Sequence, residues 1–529
     1  MRHRGVLAAA VLTSALVSGG WLMERGWHAP VRDLASRAHL FDEVLLHIKR
    51  DYVDTLADST LYRHAINGAL RELHDPHTVF LSQRRLTRLD ESTSGKYAGV
   101  GIQMDVRDSG ITVAGTLPGT PAEEAGIATG DRIVTIDGKT TLGATSEEAL
   151  KALRGPAGTP VKLMVERPGI AERMPFTLVR RLIEVNPVQH AFIVRDSIGY
   201  VDLTVFSAEA SPDLVRAIDS LRSAGARSLV LDLRGDPGGL LDQGIDVADL
   251  FLDPGQAIVS TKGRMPEETR AFSDRAPQRW ANMPLVVLTD SASASASEIV
   301  AGALQDHDRA VIIGTATYGK GSAQRVFRLD SGAIKITTAL WFTPSGRSIN
   351  RQRVVPNGED DEDATRPDSA PPRPKFRTDA GRTVFGGGGI VPDVEVARLA
   401  APAADRALQF ALGAQVPKFR DALVDYAIAL KTSRAVTDPG FQVTPAMRDA
   451  FYRRLRAKGV TLDRGVYDSA SVLVSRALGA QIARYVFGPR AEFARTLRED
   501  PTMGRALAML AGVHSSRELL SKIPPPPAR

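Results

Sequence analysis

The 529-residue sequence contains no cysteine. That excludes disulfides, thiolate metal sites and a cysteine nucleophile together, and it suits an oxidising compartment, where stray thiols are a liability. The chain also lacks a dense Lys/Arg tract and a basic patch interleaved with aromatics. The net charge of +6 is therefore scattered, and nucleic acid is not expected as a partner. Internal repeats are absent. Ten histidines are present, yet none stands in a recognisable catalytic setting, and His307 is expected on a solvated turn. What remains is an ordinary globular composition, 43% hydrophobic and 24% charged, long enough for about three or four domains.

The N-terminus is informative. Arg2 and Arg4 precede nineteen uncharged residues, Gly5 to Met23, a length between a cleaved signal peptide and a spanning helix. Small residues around Val17-Ser18-Gly19 permit cleavage, whereas Trp21 and the lack of a sharp site permit an uncleaved anchor. Residues 1–24 are read as one or the other. Both place the bulk of the chain outside the cytoplasm, in the periplasm or cell envelope, or anchored to the inner membrane.

Helical apolar spacing runs through residues 39–92 (Leu40, Val44, Ile48, then Leu61, Ile66, Leu70), broken at Asp75-Pro76-His77. From Gly95 the pattern changes to short strands and glycine turns: 110–113, 131–136 and 161–165 read as strands, and 146–153 as a helix capped by Ser146. Strands and helices then alternate, with strands at 198–203, 228–233, 284–289 and 310–313 and helices at 211–224, 241–252 and 297–305. Such alternation argues an α/β core. A hairpin follows at 324–342. Residues 353–384 read as a solvated insertion with an acidic knot at 359–363 that lacks a calcium-loop pattern. Residues 400–522 are helical, and Pro524–Pro527 form a stiff tail.

Three stretches carry the chemistry. In Ser291-Ala-Ser-Ala-Ser-Ala-Ser-Glu298, a strand, a tight turn and a helix place Ser295 at a helix N-terminus. Unpaired N–H groups and the helix dipole favour developing negative charge there, and the next residue's N–H suits an oxyanion. Ser295-Ala-Ser-Glu298 is equally a capping box, so Ser295 is either a nucleophile or a cap. In Tyr318-Gly-Lys-Gly-Ser322, Lys320 stands between glycines that allow close backbone approach. It is a surface lysine in a turn, or a base. A base must be neutral, and lowering its pKa from about 10.4 to 7–8 takes roughly 4 kcal/mol of desolvation. Gln324 shares a strand face with Lys320 in an extended segment and offers an amide oxygen to orient the amine. In Asp232-Leu-Arg-Gly-Asp-Pro-Gly-Gly239, at the end of a buried strand, the glycines present backbone N–H groups to a ligand or simply turn the chain.

These three elements, in this order, resemble the carboxyl-terminal processing peptidases, also called tail-specific proteases. Asp236 stands where that family more usually has asparagine. The resemblance implies a serine–lysine dyad of Ser295 and Lys320, with Gln324 orienting the lysine and Gly238 and Ala296 donating to the oxyanion. Upstream, Tyr97-Ala-Gly-Val-Gly-Ile-Gln103 with Pro118–Ile127 and Gly130–Ile133 looks like a PDZ domain. There a peptide's terminal carboxylate would rest on the loop of Gly99, Val100, Gly101 and Ile102, with Ile102 and Leu150 lining an apolar pocket. Thr343–Arg347 and Gly389–Asp393 also fit, so the resemblance covers about residues 40–397.

The expected architecture is a multidomain α/β protein: a crotonase-like α/β protease core with an inserted PDZ domain, N-terminal helices and a C-terminal helical domain. Its boundaries are 1–24 (leader or anchor), 25–93 (helical), 94–182 (PDZ), 183–352 (core), 353–399 (polar insertion and return) and 400–529 (packing or dimerisation helices). The expected activity is that of an exported serine endopeptidase. It binds apolar C-terminal tails, uses no metal or other cofactor, contacts a membrane through an uncleaved N-terminus, and has an adaptor protein and a homo-oligomer as further expectations. The rivals are a peptide-binding adaptor with a dead core and a crotonase-like acyl-CoA site.

Overall fold

The larger core owes its sheet to four short runs that are apolar on both faces, the mark of parallel strands covered on two sides. In the computed structural model, which describes residues 29–107, 110–351, 373–397 and 400–524, these runs are the inner four strands of a six-stranded sheet. Its order is β1 (Ala191–Arg195), β2 (Ile198–Asp202), β3 (Ser228–Asp232), β4 (Leu285–Thr289), β5 (Val311–Gly314) and β6 (Val394–Glu395). β1 is antiparallel to β2, and every later pair is parallel. Residues 1–24, expected as a leader or anchor, the acidic knot and the tail beyond residue 524 lie outside the described residues.

Period-two alternation sends successive side chains to opposite faces. Leu229, Leu231, Leu285, Val287 and Ile312 pack with α1 (Ala210–Ser223), α2 (Leu241–Asp249) and α3 (Ala296–Asp306). Tyr200, Val230, Val286, Leu288, Val311 and Ile313 face the other way, onto Met503, Leu507, Leu510 and Leu519. The end of the C-terminal helical segment thus forms the second layer of the core, with each buried aliphatic side chain contributing about 1.5–3 kcal/mol. The preceding helices, from Ala403–Leu412 to Ser471–Ile482, surround their own apolar centre of Phe419, Phe451, Tyr467 and Leu478.

Ahead of the core sits an antiparallel sheet in the order Ile102–Arg107, Gly110–Thr116, Arg132–Ile136, Pro160–Glu166, Met174–Val179, with Lys139–Thr140 on the third strand. It buries Ile111, Val113, Ile133, Val161 and Val165. The helix Ser146–Leu153 lies where expected, but its cap is Thr145, whose hydroxyl accepts the Glu148 N–H while Glu148 returns a bond to the Thr145 N–H. Ser146 is the first residue inside the helix. The pair Lys96–Gly99 with Arg181–Glu184 closes the base of the module.

The chain divides into two compact units. Among the described residues, the smaller comprises 29–83 and 324–337, and the larger the rest. In the smaller unit the helices Ala29–Asp51 and Asp58–Arg71 precede a strand, Val79–Ser82, paired antiparallel with Gly332–Lys335. That strand corrects the helical reading of residues 39–92. Its four residues are too few for a periodicity to declare itself. The insertion is also not all loop, because Lys375–Arg377 pairs with Thr383–Phe385. Among the described residues no helix is long and apolar enough to cross a membrane.

Candidate active site

Ligands of open α/β sheets bind outside the carboxyl ends of the strands. Three adjacent strands deliver the three motifs there. β3 ends at Asp232 and runs into the glycine loop, β4 ends at Thr289 and runs into the serine loop, and β5 ends at Gly314 and runs into the lysine loop.

The serine loop is tied down before it reaches Ser295. Asp290 Oδ1 accepts the N–H groups of Gly235 and Ala292 at 3.0 Å. Ser293 is buried, and its hydroxyl donates to the Leu233 carbonyl at 2.8 Å. Ser297 is buried as well, donating to the Asp236 carbonyl at 3.0 Å. Ser291 is exposed. Ser295 alone of the four is half-buried with a left-handed backbone, φ 56° and ψ −112°. A non-glycine residue there stores strain that its surroundings must enforce. The Glu298 N–H goes to the Ser295 carbonyl at 2.9 Å, and the Ser295 hydroxyl faces the same N–H in the capping box that Glu298 closes.

Enforcement comes from Glu298, which is wholly buried. Its Oε2 accepts the N–H of Ser295 at 2.8 Å and that of Lys320 at 2.9 Å. Its Oε1 accepts the Gly319 N–H at 2.7 Å and the Thr317 hydroxyl at 2.5 Å. One carboxyl therefore joins the serine and lysine loops. Burial raises its pKa; the Thr317 hydroxyl and the three N–H groups oppose this, and the net direction stays upward. The lysine loop is held from the other side by Ile390, which exchanges backbone and hydroxyl bonds with Thr317. Gly319, at φ 89°, has no room for a Cβ: one would meet the Arg351 Cβ at 2.9 Å. Lys320 is half-buried.

The glycine loop closes against the nucleophile. A Cβ on Gly238 would lie 2.6 Å from the Ala294 carbonyl oxygen and 2.8 Å from both Ala296 N and Ser295 Cβ. The N–H of Gly238 donates to Asp236 Oδ1 at 2.7 Å. Among the described residues the N–H groups of Gly239 and Ala296 have no hydrogen-bond partner. Behind the loop Arg234 forks onto Asp232 at 2.6 Å and pairs with Asp500 of the C-terminal segment.

The comparisons with known proteins bear on this arrangement. The sequence profile of Peptidase family S41 matches residues 197–359, and that of the PDZ domain matches 112–167. The carboxy-terminal-processing protease of Bartonella bacilliformis is 41% identical over 322 residues, which is 60% of this chain and 73% of that protein. The carboxy-terminal processing protease CtpA of Bacillus subtilis is 34% identical over 355 residues, 66% and 75% of the two chains. This chain belongs to peptidase family S41. It is a carboxy-terminal processing serine protease with a PDZ domain. A solved photosystem II D1 C-terminal processing protease is 29% identical, with a TM-score of 0.37 over 67% of this chain and 86% of that one.

In this peptidase the PDZ loop presents Gly99, Val100 and Gly101 buried and Ile102 partly so, at the start of the edge strand Ile102–Arg107. The N–H groups of Val100 and Gly101 have no hydrogen-bond partner among the described residues. Leu150 is 44% exposed. Gln324 belongs to the smaller unit, where its amide donates to the Thr337 hydroxyl at 3.3 Å. His307 does lie on the turn after α3, but its side chain is only 8% exposed rather than solvated. Its ring nitrogens lie 2.8 Å from Asp379 Oδ2 and 2.7 Å from the Ala257 carbonyl oxygen, at the end of α3 remote from Ser295, about 16 Å along an eleven-residue helix. The residue that motif reading undervalued is Glu298. Its place in a capping box was visible, but its burial between two loops is a tertiary fact.

Proposed function

We propose that this protease is exported and cleaves proteins near apolar C-terminal tails with a Ser295–Lys320 dyad. The observation that carries the reading is Glu298 binding the N–H groups of both residues through one carboxylate oxygen. Lys320, as the neutral amine, takes the Ser295 proton as Oγ attacks the scissile carbonyl. The Ala296 N–H and the glycine loop receive the oxyanion. Lys320 then returns the proton to the leaving amine, and water cleaves the acyl-enzyme by the same route. Gln324 enters as the lysine-orienting residue on the strength of its motif position alone.

Tail recognition rests on the Val100 and Gly101 N–H groups and the open edge strand, which suit a terminal carboxylate and an added strand. Export rests on the basic, then apolar, N-terminus and on the absence of cysteine. The test is hydrolysis of a peptide ending in apolar residues by the parent and by Ser295→Ala. Activity is expected only in the parent, and equal rates exclude the site. No feature of the site favours an adaptor with a dead core.

A further inference from the structure

The glycine loop contains a titratable group that the dyad does not use. Asp236 is fully buried. Its Oδ1 accepts the Gly238 N–H at 2.7 Å, and its Oδ2 is buried with no hydrogen-bond partner among the described residues. Its carbonyl takes the Ala294 N–H and the Ser297 hydroxyl, both at 3.0 Å, from either side of Ser295. Asp236 therefore touches the glycine loop and the serine loop at once.

We infer that Asp236 is a positioning residue of the oxyanion loop that works as a neutral carboxylic acid, its carbonyl oxygen holding the Gly238 N–H loosely enough to be released to the transition state. The inference rests on the oxyanion assignment proposed above. Two physical arguments support it. A carboxylate would grip the N–H through a charge-assisted bond, roughly twice as strong as a neutral one, and would withhold it from the substrate. It would also place a negative charge beside the position where the oxyanion develops, in a dry setting that magnifies repulsion. The neutral acid removes both obstacles and keeps the acceptor.

The surroundings favour that form. Burial drives the Asp236 pKa well up, opposed by the Gly238 N–H and the Ser297 hydroxyl. The titratable groups on the neighbouring elements do not compensate. On its own loop Arg234 is committed to Asp232 and Asp500. The serine loop and α3 bring Asp290 and Glu298, the segment pairing with Gly239 brings Glu209, and α2 brings Asp242, Asp246 and Asp249, all of them acids. The cation of the lysine loop is Lys320, which must be neutral to act as base.

Infrared difference spectra between the parent and Asp236→Asn, read beside kcat from pH 6 to 10, test the inference. The parent should show a protonated-carboxyl band at neutral pH that Asp236→Asn lacks. Asp236→Asn, keeping an acceptor oxygen, should retain kcat within about tenfold, whereas Asp236→Ala should lose about 10²-fold or more with KM little changed. Wherever the band disappears with rising pH, kcat of the parent should fall with it, and Asp236→Asn should not share that fall. A carboxylate band alone at neutral pH overturns the inference. So does a folded Asp236→Asn as inactive as Asp236→Ala, or a band lost with kcat unchanged. Failure of the dyad reads differently, because Ser295→Ala would then cleave as fast as the parent while the band remained.

Discussion

Ser295 and Lys320 donate their backbone N–H groups to the same oxygen, Oε2 of Glu298, at 2.8 and 2.9 Å. The two nitrogens are thus no farther apart than these two bonds laid end to end, although 25 positions separate the residues in the chain. A buried acceptor serving two loops fixes their mutual distance more tightly than either loop's own turns.

Glu298→Gln keeps the shape but turns one oxygen into a donor. Each N–H left facing it costs about 1–3 kcal/mol, and the left-handed Ser295 loses its restraint. The expected result is a kcat reduced by about 10²-fold with KM nearly unchanged, and a lowered Tm. Steady-state kinetics and calorimetry check both.

Gly238→Ala adds a methyl group 2.6 Å from the Ala294 carbonyl oxygen, at a φ of 89°. The backbone conformation alone costs about 1–2 kcal/mol, and the clash pushes the nucleophile loop. Cleavage should fall by at least 10²-fold, while binding of a tail peptide to the PDZ module is retained, as read by fluorescence titration.

Asp500 both caps the helix Pro501–Leu510, accepting the Thr502 N–H at 2.8 Å, and pairs with Arg234. Asp500→Ser keeps a capping oxygen and loses the pair, whereas Asp500→Ala loses both, the cap being worth about 1 kcal/mol. Urea unfolding should therefore rank the parent first, Asp500→Ser second and Asp500→Ala last.

Much of this was legible from local chemistry. Residues 228–232, 285–289 and 311–314 announced themselves as buried strands because three or four apolar residues in a row fit a sheet covered on both faces. Their order in the sheet, which brings the three motif loops side by side, is set by parallel pairing between segments distant in the chain and not by any single segment. The strands Ala257–Gly263 and Arg270–Ser273 went unread because their polar and charged residues disguise the alternation. The sequence points to Ser146 although Thr145 is the cap for a simpler reason: adjacent hydroxyls are equivalent in sequence, and only the backbone decides which one lies outside the helix. Glu298 looked like an ordinary capping residue, since nothing in Ser-Ala-Ser-Glu reveals the second loop that arrives from Thr317 to Lys320.

Asp274 provides a pH test of the fold outside the site. Burial, then neighbouring Asp249 and Asp253, push its carboxyl up to about 6, against the pull of the Ala276 N–H. The folded state therefore binds this proton more tightly than the unfolded chain. That stabilisation is complete below the unfolded value of about 3.9 and is lost as pH rises through about 6. Asp274→Asn should raise Tm at pH 7–8 relative to the parent and narrow the difference toward pH 4, as followed by calorimetry.

The most direct test of the account is a single-turnover experiment with Lys320→Ala and a labelled peptide ending in apolar residues, with binding and cleavage recorded on the same sample. The account predicts tail affinity within about twofold of the parent and a cleavage rate lower by about 10⁴-fold or more, matching Ser295→Ala. Cleavage by Lys320→Ala at the rate of the parent would contradict it.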